Sequence, residues 1–307
     1  MRCVSQLLQS SPLALPEARI LLAYVLNWPR TALITRANNF LPDAVSSRFL
    51  GLQAQRVAGK PIAQLVGSRE FFGLDFKVTP HVLIPRPETE LLVECTLDAI
   101  RAIHLPHILD LGTGSGAIAI TIAHARPDAR VVATDYCTYA LDVAQRNAHR
   151  LLGDAAFILP LPTLAKNHNF VFSGNLTQPR LMLCHGDWFN ALNTMYHTAP
   201  VYFDIIVSNP PYIAALDPHL SEGDLRFEPL NALTDHADGL SAIHSIVSKS
   251  TAWLSPGGKI WIEHGHNQAQ AVRTLLDTYG FDSIRSIRDL SGIERVTGGS
   301  VNGLQSS

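Results

Sequence analysis

Residues 109–116 read Leu-Asp-Leu-Gly-Thr-Gly-Ser-Gly, and they stand between a short apolar segment and a longer one with helical spacing. Glycines at the junction of a strand and a helix let the backbone turn sharply and approach a ligand closely. The N-terminus of the following helix offers free amide donors to a carboxylate or a phosphate. This turn, formed by Gly112, Thr113, Gly114, Ser115 and Gly116, therefore predicts a ligand site at the start of an α/β domain.

Strand and helix patterns alternate on both sides of that turn. Helices are predicted at 87–103, 115–125 and 140–151, and strands at 107–111, 130–134, 181–184, 203–207 and 259–262. Short apolar strands joined by crossover helices are typical of a mainly parallel sheet that is covered on both faces. Ligands of such sheets bind at the carboxyl ends of the strands, which is where functional residues should be sought.

In the chain before this region, the apolar residues recur with a different spacing. Apolar residues recur at helical spacing between residues 16 and 59, and alternate with polar ones between residues 69 and 83. We therefore predict a helical domain at 1–68, a β-hairpin linker at 69–86 and a larger α/β domain at 87–307. Within the larger domain, residues 153–180 form an insertion to which we assign no function, and the last ten residues are expected to be a frayed tail.

Composition limits the classes of partner. The chain has 307 residues, of which 47% are hydrophobic and 16% charged, with a formal net charge of -2. Such a chain is globular and has no overall positive field to attract nucleic acid. The four cysteines are scattered, and no signal-peptide core or membrane span is evident, so we expect a cytoplasmic protein. The thirteen histidines form no known metal-binding motif, so no metal is expected.

Acidic and aromatic residues follow the next two predicted strands. The spacing of Gly112, Gly114 and Ala117 suits a nicotinamide enzyme as well as an S-adenosylmethionine enzyme. Asp135 stands where an acid could accept hydrogen bonds from both hydroxyls of a ribose, which indicates a ligand that contains adenosine. Trp188, in the segment Gly-Asp-Trp-Phe, could stack on an adenine ring, although a role as a core residue competes with this interpretation.

The segment Ser-Asn-Pro-Pro-Tyr at 208–212 follows the fourth predicted strand and points to the reaction. Two successive prolines stiffen the backbone and would present the Asn209 side chain and the Pro210 carbonyl in a fixed geometry. Together they offer two acceptors for one planar NH2 group, and Tyr212 after Pro211 could pack against that group. Accepting both N–H hydrogens pushes electron density onto a weakly nucleophilic nitrogen, so the segment favours methyl transfer to an amide or an aromatic amine.

These motifs together resemble the release-factor glutamine methyltransferases, the PrmC or HemK family. The resemblance runs from about residue 17 to residue 297 and is carried by five segments: DLGTGSG, NPPY, IPRPETE at 84–90, GDWF at 186–189 and RFEPLNAL at 226–233. It implies a Rossmann-like methyltransferase domain with a mostly parallel seven-stranded sheet, preceded by a small helical bundle and a β-hairpin. It also implies transfer of a methyl group from S-adenosylmethionine to the glutamine side-chain nitrogen in the Gly-Gly-Gln motif of peptide chain release factors.

The same resemblance assigns roles to matching positions. The glycine turn at 112–116 would hold the methionine part of the cofactor, Asp135 its ribose and Trp188 its adenine, while residues 209–212 would hold the glutamine amide beside it. The helical domain would dock the release factor, and the enzyme is expected to act as a monomer. Individual roles of Arg86, Glu88, Glu90 and Glu228 do not follow from the sequence.

Other functions remain open at this point. An adenine N6 methyltransferase of DNA or RNA is the first alternative, because NPPY suits any planar amine. A catalytically idle adenosine-binding protein and a nicotinamide oxidoreductase come after it.

Overall fold

The N-terminal region is a bundle of five helices, in a computed structural model that describes residues 1–153, 157–158, 180–193 and 202–302. The helices are α1 (Val4–Gln9), α2 (Leu15–Leu26), α3 (Ala32–Thr35), α4 (Asp43–Val57) and α5 (Ile62–Val66), with a two-stranded ladder of β1 (Arg2–Cys3) and β2 (Phe40–Leu41). Pro16 lies in the first turn of α2, where its missing N–H costs no helical hydrogen bond. Leu22 and Phe49, which the helical pattern placed on apolar faces, are fully buried in the core of this bundle together with Leu21.

A β-hairpin connects the bundle to the rest of the chain. It consists of β3 (Ser68–Phe71) and β4 (Leu74–Lys77). Lys77 N donates to Asn147 Oδ1 over 2.7 Å, and Asn147 Nδ2 donates to Lys77 O over 3.0 Å and to Ser115 O over 2.9 Å. The hairpin is thereby hydrogen-bonded, through one buried amide side chain, to the glycine turn.

An eight-stranded sheet forms the centre of the described α/β region. Its strands are β5 (His107–Leu111), β6 (Arg130–Asp135), β7 (Phe157–Ile158), β8 (Leu181–His185), β9 (Phe203–Ser208), β10 (Leu254–Glu263), β11 (Asp282–Arg288) and β12 (Glu294–Ser300). They lie in the order β11-β12-β10-β9-β5-β6-β8-β7, and β12 alone runs antiparallel to its neighbours. The implied seven-stranded, mostly parallel sheet is confirmed, and the two-residue β7 adds an eighth strand at one edge.

Helices cover both faces of this sheet. They are α6 (Glu90–Ala99), α7 (Ala117–Ala125), α8 (Thr138–Leu152), α9 (Asn190–Asn193), α10 (Leu230–Leu233), α11 (Ser241–Ser250) and α12 (Ala269–Thr278). Successive strand residues point to opposite faces, so Ile108 joins the core under α6, α7 and α8, while Leu109 joins the core under α11 and α12. Two apolar cores therefore hold the strand ends in register, which positions the site.

The C-terminal segment differs from the prediction. Residues 298–300 are the end of β12 and not part of a frayed tail. A Cβ at Gly298 would lie 2.2 Å from Ile260 O and 2.2 Å from the Trp261 ring, so a glycine is needed for β12 to pair with β10 beneath that ring. The prediction of a frayed tail is therefore wrong for residues 298–300, where the glycines permit a close approach of two backbones, and residues 303–307 lie outside the described residues. Most of the predicted insertion at 153–180 lies outside the described residues.

Candidate active site

The sequence-predicted residues meet at a cleft along the carboxyl ends of the parallel strands. The cleft encloses about 980 Å³, including its open mouth. The strand ends β5, β6, β8 and β9 contribute the lining residues Gly112, Thr113, Gly114, Ser115, Asp135, Gly186, Asp187, Trp188, Asn209 and Pro211. The segment before α6 adds Pro85, Arg86 and Thr89 from the other side. The described lining of the cleft does not include Gly116, Pro210 or Tyr212.

The glycine turn is held by its own backbone. The amides of Gly112 and Thr113 both donate to Thr134 O over 2.9 Å, and Gly116 N donates to Thr113 O over 2.8 Å. Gly112, Gly114 and Gly116 have φ angles of 76°, 56° and 82°, a region that side chains disfavour. Three amides of the turn are therefore used to shape it.

Gly112 and Gly116 are required for different contacts. A Cβ at Gly112 would lie 3.1 Å from the Trp188 ring, so this glycine lets the ring close over the turn. A Cβ at Gly116 would lie 2.5 Å from Ile120 Cδ1, so that glycine allows α7 to begin close to the turn. Gly112 thus shapes the cleft, whereas Gly116 serves packing.

Asp110, two residues before the turn, is a buried acid to which sequence reasoning assigned no role. Its side chain is fully buried, Oδ2 accepts a hydrogen bond from the Thr113 hydroxyl over 2.7 Å, and Oδ1 has no partner among the described residues. Burial raises the pKa of this carboxyl to about 7. The detectable signal was the acid itself, since an Asp inside an apolar strand has to be paired or functional.

Asp135 binds the glycine turn from the end of β6. Its Oδ2 accepts from Gly114 N over 2.8 Å and its Oδ1 from Cys137 N over 2.9 Å. Burial raises the pKa of this carboxyl. Each oxygen keeps a second lone pair, so contact with a ribose stays a prediction for this residue.

Trp188 lies across the cleft from the segment that precedes α6. Its φ angle of 44° is uncommon for a residue with a side chain. The ring is partly exposed, lines the cleft and also packs against the core cluster beneath α11. The two interpretations made from the sequence, a stacking platform and a core residue, are thus both compatible with its position.

The Asn-Pro-Pro-Tyr segment leaves the end of β9 beside the glycine turn. The Ser208 hydroxyl donates to Leu111 O over 2.7 Å and joins the two strand ends. Asn209 Nδ2 donates over 3.1 Å to Thr89 Oγ1, a residue that also lines the cleft, and Oδ1 has no partner among the described residues. The Tyr212 hydroxyl donates to Glu263 Oε1 over 3.3 Å, and Gln268 Nε2 donates to Tyr212 O over 3.0 Å.

The structure explains three of the four charged residues left without roles. Buried Glu228 accepts from Ile84 N over 2.9 Å through Oε2 and from Arg86 through Oε1, which joins two distant motifs. Glu90 Oε1 accepts from Phe72 N over 2.8 Å and holds the hairpin turn. Glu88 is exposed, and nothing in the structure explains it.

The described residues fit S-adenosylmethionine. One cleft is lined by a flat aromatic ring, a carboxylate at a strand end and a glycine turn, in which a Cβ at Gly112 would come within 3.1 Å of that ring. Within the described ranges, no group of three or more His, Cys, Asp or Glu side chains could hold a metal ion. None of the described helices is both long enough and apolar enough to cross a membrane.

Comparison with known proteins decides the family. Residues 1–67 match the PrmC N-terminal domain and residues 87–159 match the methyltransferase small domain. The chain is 54% identical to the release factor glutamine methyltransferase of Burkholderia pseudomallei, over 97% of this chain and 96% of that one. The chain belongs to the release factor glutamine methyltransferase family.

A second family member and a more distant solved structure are also similar to this chain. The family member from Bordetella pertussis is 44% identical over 97% of this chain and 99% of its own. The solved hMettl16 catalytic domain covers 90% of this chain and 88% of its own at a TM-score of 0.51, with 14% identity, which shows a shared fold only. The predicted family, fold, methyltransferase class and cofactor are confirmed.

Proposed function

We propose that this protein transfers the methyl group of S-adenosylmethionine to the side-chain amide nitrogen of the glutamine in the Gly-Gly-Gln motif of peptide chain release factors. Membership of the family supports the substrate, and the cleft at the strand ends supports the reaction. The observation that carries the proposal is the orientation of Asn209, whose NH2 group is bound to Thr89 over 3.1 Å while its oxygen remains available.

That oxygen suits a planar amide. Asn209 Oδ1 and the Pro210 carbonyl would accept the two N–H hydrogens of the substrate glutamine, which increases electron density on its nitrogen. The cofactor, when bound, supplies a methyl group on a positively charged sulfur. The N–C bond forms as the S–C bond breaks, and one proton of the amide then leaves to water. No strong base is needed beforehand, because the nitrogen becomes acidic only as it is alkylated.

Alignment is the main contribution of the protein to this reaction. Holding nucleophile and methyl group in line can remove about 7 to 11 kcal/mol of orientational cost in well-aligned systems. The buried end of β9 and the stiff Pro210-Pro211 pair restrict the movement of Asn209. Tyr212 supports the segment from behind through Glu263, and its contact with the substrate remains part of the proposal.

The cofactor would lie between the glycine turn and Trp188. We assign its methionine part to residues 112–116 and Asn209, its ribose to Asp135 and its adenine to the face of Trp188. The Asp135 carboxylate accepts from Gly114 N and so couples the ribose position to the shape of the turn.

The helical domain at 1–68 would dock the body of the release factor, with the hairpin at 69–86 as linker and residues 87–307 as catalytic domain. Arg56 of α4 binds Glu17 of α2 over 2.8 Å and Asp224 of the catalytic domain over 2.7 Å, which joins the bundle to that domain. We further propose a cytoplasmic enzyme that works as a monomer, without direct contact with nucleic acid or a membrane.

Transfer of a labelled methyl group tests this function. With labelled S-adenosylmethionine, we expect the label in a release factor, and none in a release factor whose motif glutamine is replaced by alanine. Asn209→Ala should abolish transfer, while the cofactor Kd, measured by calorimetry, should rise much less, because residues 112–116, Asp135 and Trp188 would still hold the cofactor. Near-normal turnover by Asn209→Ala would contradict the mechanism, and label in DNA or RNA instead would favour the adenine alternative.

A further inference from the structure

The helical bundle carries an excess of positive charge that the mechanism above does not use. Residues 1–68 contain seven lysines and arginines and two acids, a formal charge of +5, while the whole chain carries -2. Residues 69–307 therefore carry -7, and the two parts of the molecule have opposite charge. A charge asymmetry of this kind affects which partners a surface attracts and does not determine the fold.

Two arginines of the bundle lie over aromatic rings at the end of α2. The guanidinium carbon of Arg48 is 5.5 Å from the centre of the Tyr24 ring, and that of Arg36 is 4.7 Å from the centre of the Trp28 ring. Tyr24 stands in the last turn of α2, and Trp28 follows the residue that ends this helix. Both arginines are exposed, and neither is paired with a carboxylate among the described residues. We call these four residues the arginine face.

The arginine face is separate from the cleft and from the joint between the domains. Glu17, near the start of α2, binds Arg56, which in turn binds Asp224 of the catalytic domain. Tyr24 comes seven residues after Glu17, so it lies about 10 Å further along the helix. The described lining of the cleft begins at residue 81 and includes no residue of the bundle. A partner that binds both the cleft and the arginine face must therefore be a macromolecule.

We propose that the arginine face docks an acidic surface on the body of the release factor, outside the Gly-Gly-Gln loop that enters the cleft. This inference rests on the proposed function and deepens it, because it names the chemistry of the docking contact. Arginine, tryptophan and tyrosine are the residues that most often dominate the binding energy of protein interfaces. A ring beneath each guanidinium restricts its movement, so less conformational entropy is lost when a carboxylate binds.

The surroundings of the arginine face favour a protein over a nucleic acid. Ile34 of α3 is 66% exposed and stands two residues before Arg36, so an apolar side chain accompanies the charge. Each ring already has a guanidinium over it, which hinders the stacking of bases on that side. A nucleic acid is charged along its whole length and would be repelled by residues 69–307, whereas a protein can present carboxylates to the bundle alone.

Kinetics with an intact release factor and with a short Gly-Gly-Gln peptide test the inference. The double variant Arg36→Glu/Arg48→Glu reverses both charges, and Arg36→Lys/Arg48→Lys keeps them. Arg101→Glu/Arg288→Glu makes the same change of net charge at exposed positions of the catalytic domain and is the matched control. Circular dichroism and thermal unfolding show whether each variant is folded.

We expect the glutamate variant to raise KM for the intact factor about 5- to 30-fold, because two attractive contacts become repulsive. Its kcat and its KM for the peptide should not change, and the lysine variant and the control should stay within about threefold of wild type. Added salt screens both attraction and repulsion. It should therefore raise KM for the intact factor in the wild type and lower it in the glutamate variant.

The outcomes separate this inference from the proposed function. If the wild-type enzyme does not methylate a release factor, the proposed function fails. If it does, and the folded glutamate variant keeps the wild-type KM for the intact factor, the inference is wrong. An equal response of peptide and intact factor would also overturn it, as would a wild-type KM that does not change with salt, a result that needs no variant.

Two other occupants of the arginine face would also contradict the inference. Binding of a labelled single-stranded RNA that the glutamate variant loses, with KM for the intact factor unchanged, would assign the face to nucleic acid. A wild-type dimer in size-exclusion chromatography that the glutamate variant dissociates would assign it to a second copy of this chain.

Discussion

At the scale of single residues, the site depends on positions where a side chain cannot be added. Gly112 has a φ angle of 76° and lies against the Trp188 ring. Gly73, in the hairpin turn, has the same φ angle of 76° and open space around it. Substitution of the two glycines therefore distinguishes the effect of backbone strain, which both share, from the effect of contact with the Trp188 ring, which only Gly112 has.

We expect Gly112→Ala and Gly73→Ala each to lower the free energy of unfolding by about 1 kcal/mol, because both impose a disfavoured φ on an alanine. Only Gly112→Ala should also displace Trp188 and raise the cofactor Kd, by about tenfold. Calorimetric titration with S-adenosylmethionine measures the difference, and equal affinity in the two variants would mean that the Trp188 ring does not shape the cofactor site.

Asp110 should make stability depend on pH. Its pKa is raised to about 7 in the folded protein, above the usual value of an unfolded aspartate near 4. Between these values the folded state holds a proton that the unfolded state has lost, so stability falls as the pH rises through this window. Asp110→Asn removes this effect, and its stability relative to wild type should rise by up to about 4 kcal/mol between pH 4 and 7. Urea unfolding of both proteins, without cofactor, measures the difference, and a constant difference would contradict the assignment.

Residue-level prediction from the sequence depended on local signals. Gly112 and Asn209 could be proposed as site residues because each stands in a motif directly after a predicted strand, and both line the cleft. Thr89, Glu228 and Glu263 could not receive roles, because their partners are distant in sequence: Thr89 meets Asn209 and Glu228 meets Ile84. Pairing between buried polar groups is set by the fold, and one sequence does not reveal it.

At the scale of elements, the segment before α6 is held over the cleft by one ion pair. Arg86 lies beside Glu228, whose side chain is fully buried, and Thr89 follows three residues later. Arg101 and Asp98 form a pair at the protein surface, with side chains 81% and 65% exposed. The two pairs differ mainly in burial, so they form a matched comparison.

Arg86→Ala should lower the free energy of unfolding by about 2 to 4 kcal/mol, because it leaves the buried carboxylate of Glu228 with one donor fewer. Arg101→Ala should cost about 0.5 kcal/mol or less, since water screens the exposed pair. Arg86→Ala should also lower kcat, since it loosens the segment that carries Thr89. Chemical unfolding measures the two losses of stability, and steady-state kinetics measures kcat. An equal loss of stability in the two variants would refute the expected effect of burial.

The element boundaries show which signals were strong. The strand His107–Leu111 has the bounds that were predicted, because five apolar or inward-facing residues lie between Pro106 and Gly112. The helix predicted to reach residue 103 ends at Ala99, where the chain leaves α6 in turns closed by Ile100 and Asp98 carbonyls. Strand β11 was missed because it is largely exposed and lacks an apolar pattern.

At the scale of the whole molecule, one arginine joins the helical bundle to the catalytic domain. Arg56 has two carboxylate partners, Glu17 within the bundle and Asp224 outside it. Glu17→Gln and Asp224→Asn each remove one of them, so they distinguish support within the bundle from support between domains.

Asp224→Asn should raise KM for an intact release factor about 2- to 5-fold, the effect of a partly exposed ion pair on the orientation of the docking domain. Its kcat, and its activity on a short Gly-Gly-Gln peptide, should stay unchanged. Glu17→Gln should lower the stability of the bundle. It should raise KM for the intact release factor less than Asp224→Asn does. The docking role of the bundle would be contradicted if the peptide and the intact factor responded equally to Asp224→Asn.

The most direct test of the whole account is to locate the methyl group by fragmentation mass spectrometry. A release factor incubated with the wild-type enzyme and S-adenosylmethionine should carry one methyl group, on the side-chain nitrogen of the glutamine in its Gly-Gly-Gln motif. The same factor incubated with Asn209→Ala should carry none. A methyl group on another residue, or an unmodified factor after incubation with the wild-type enzyme, would contradict the account.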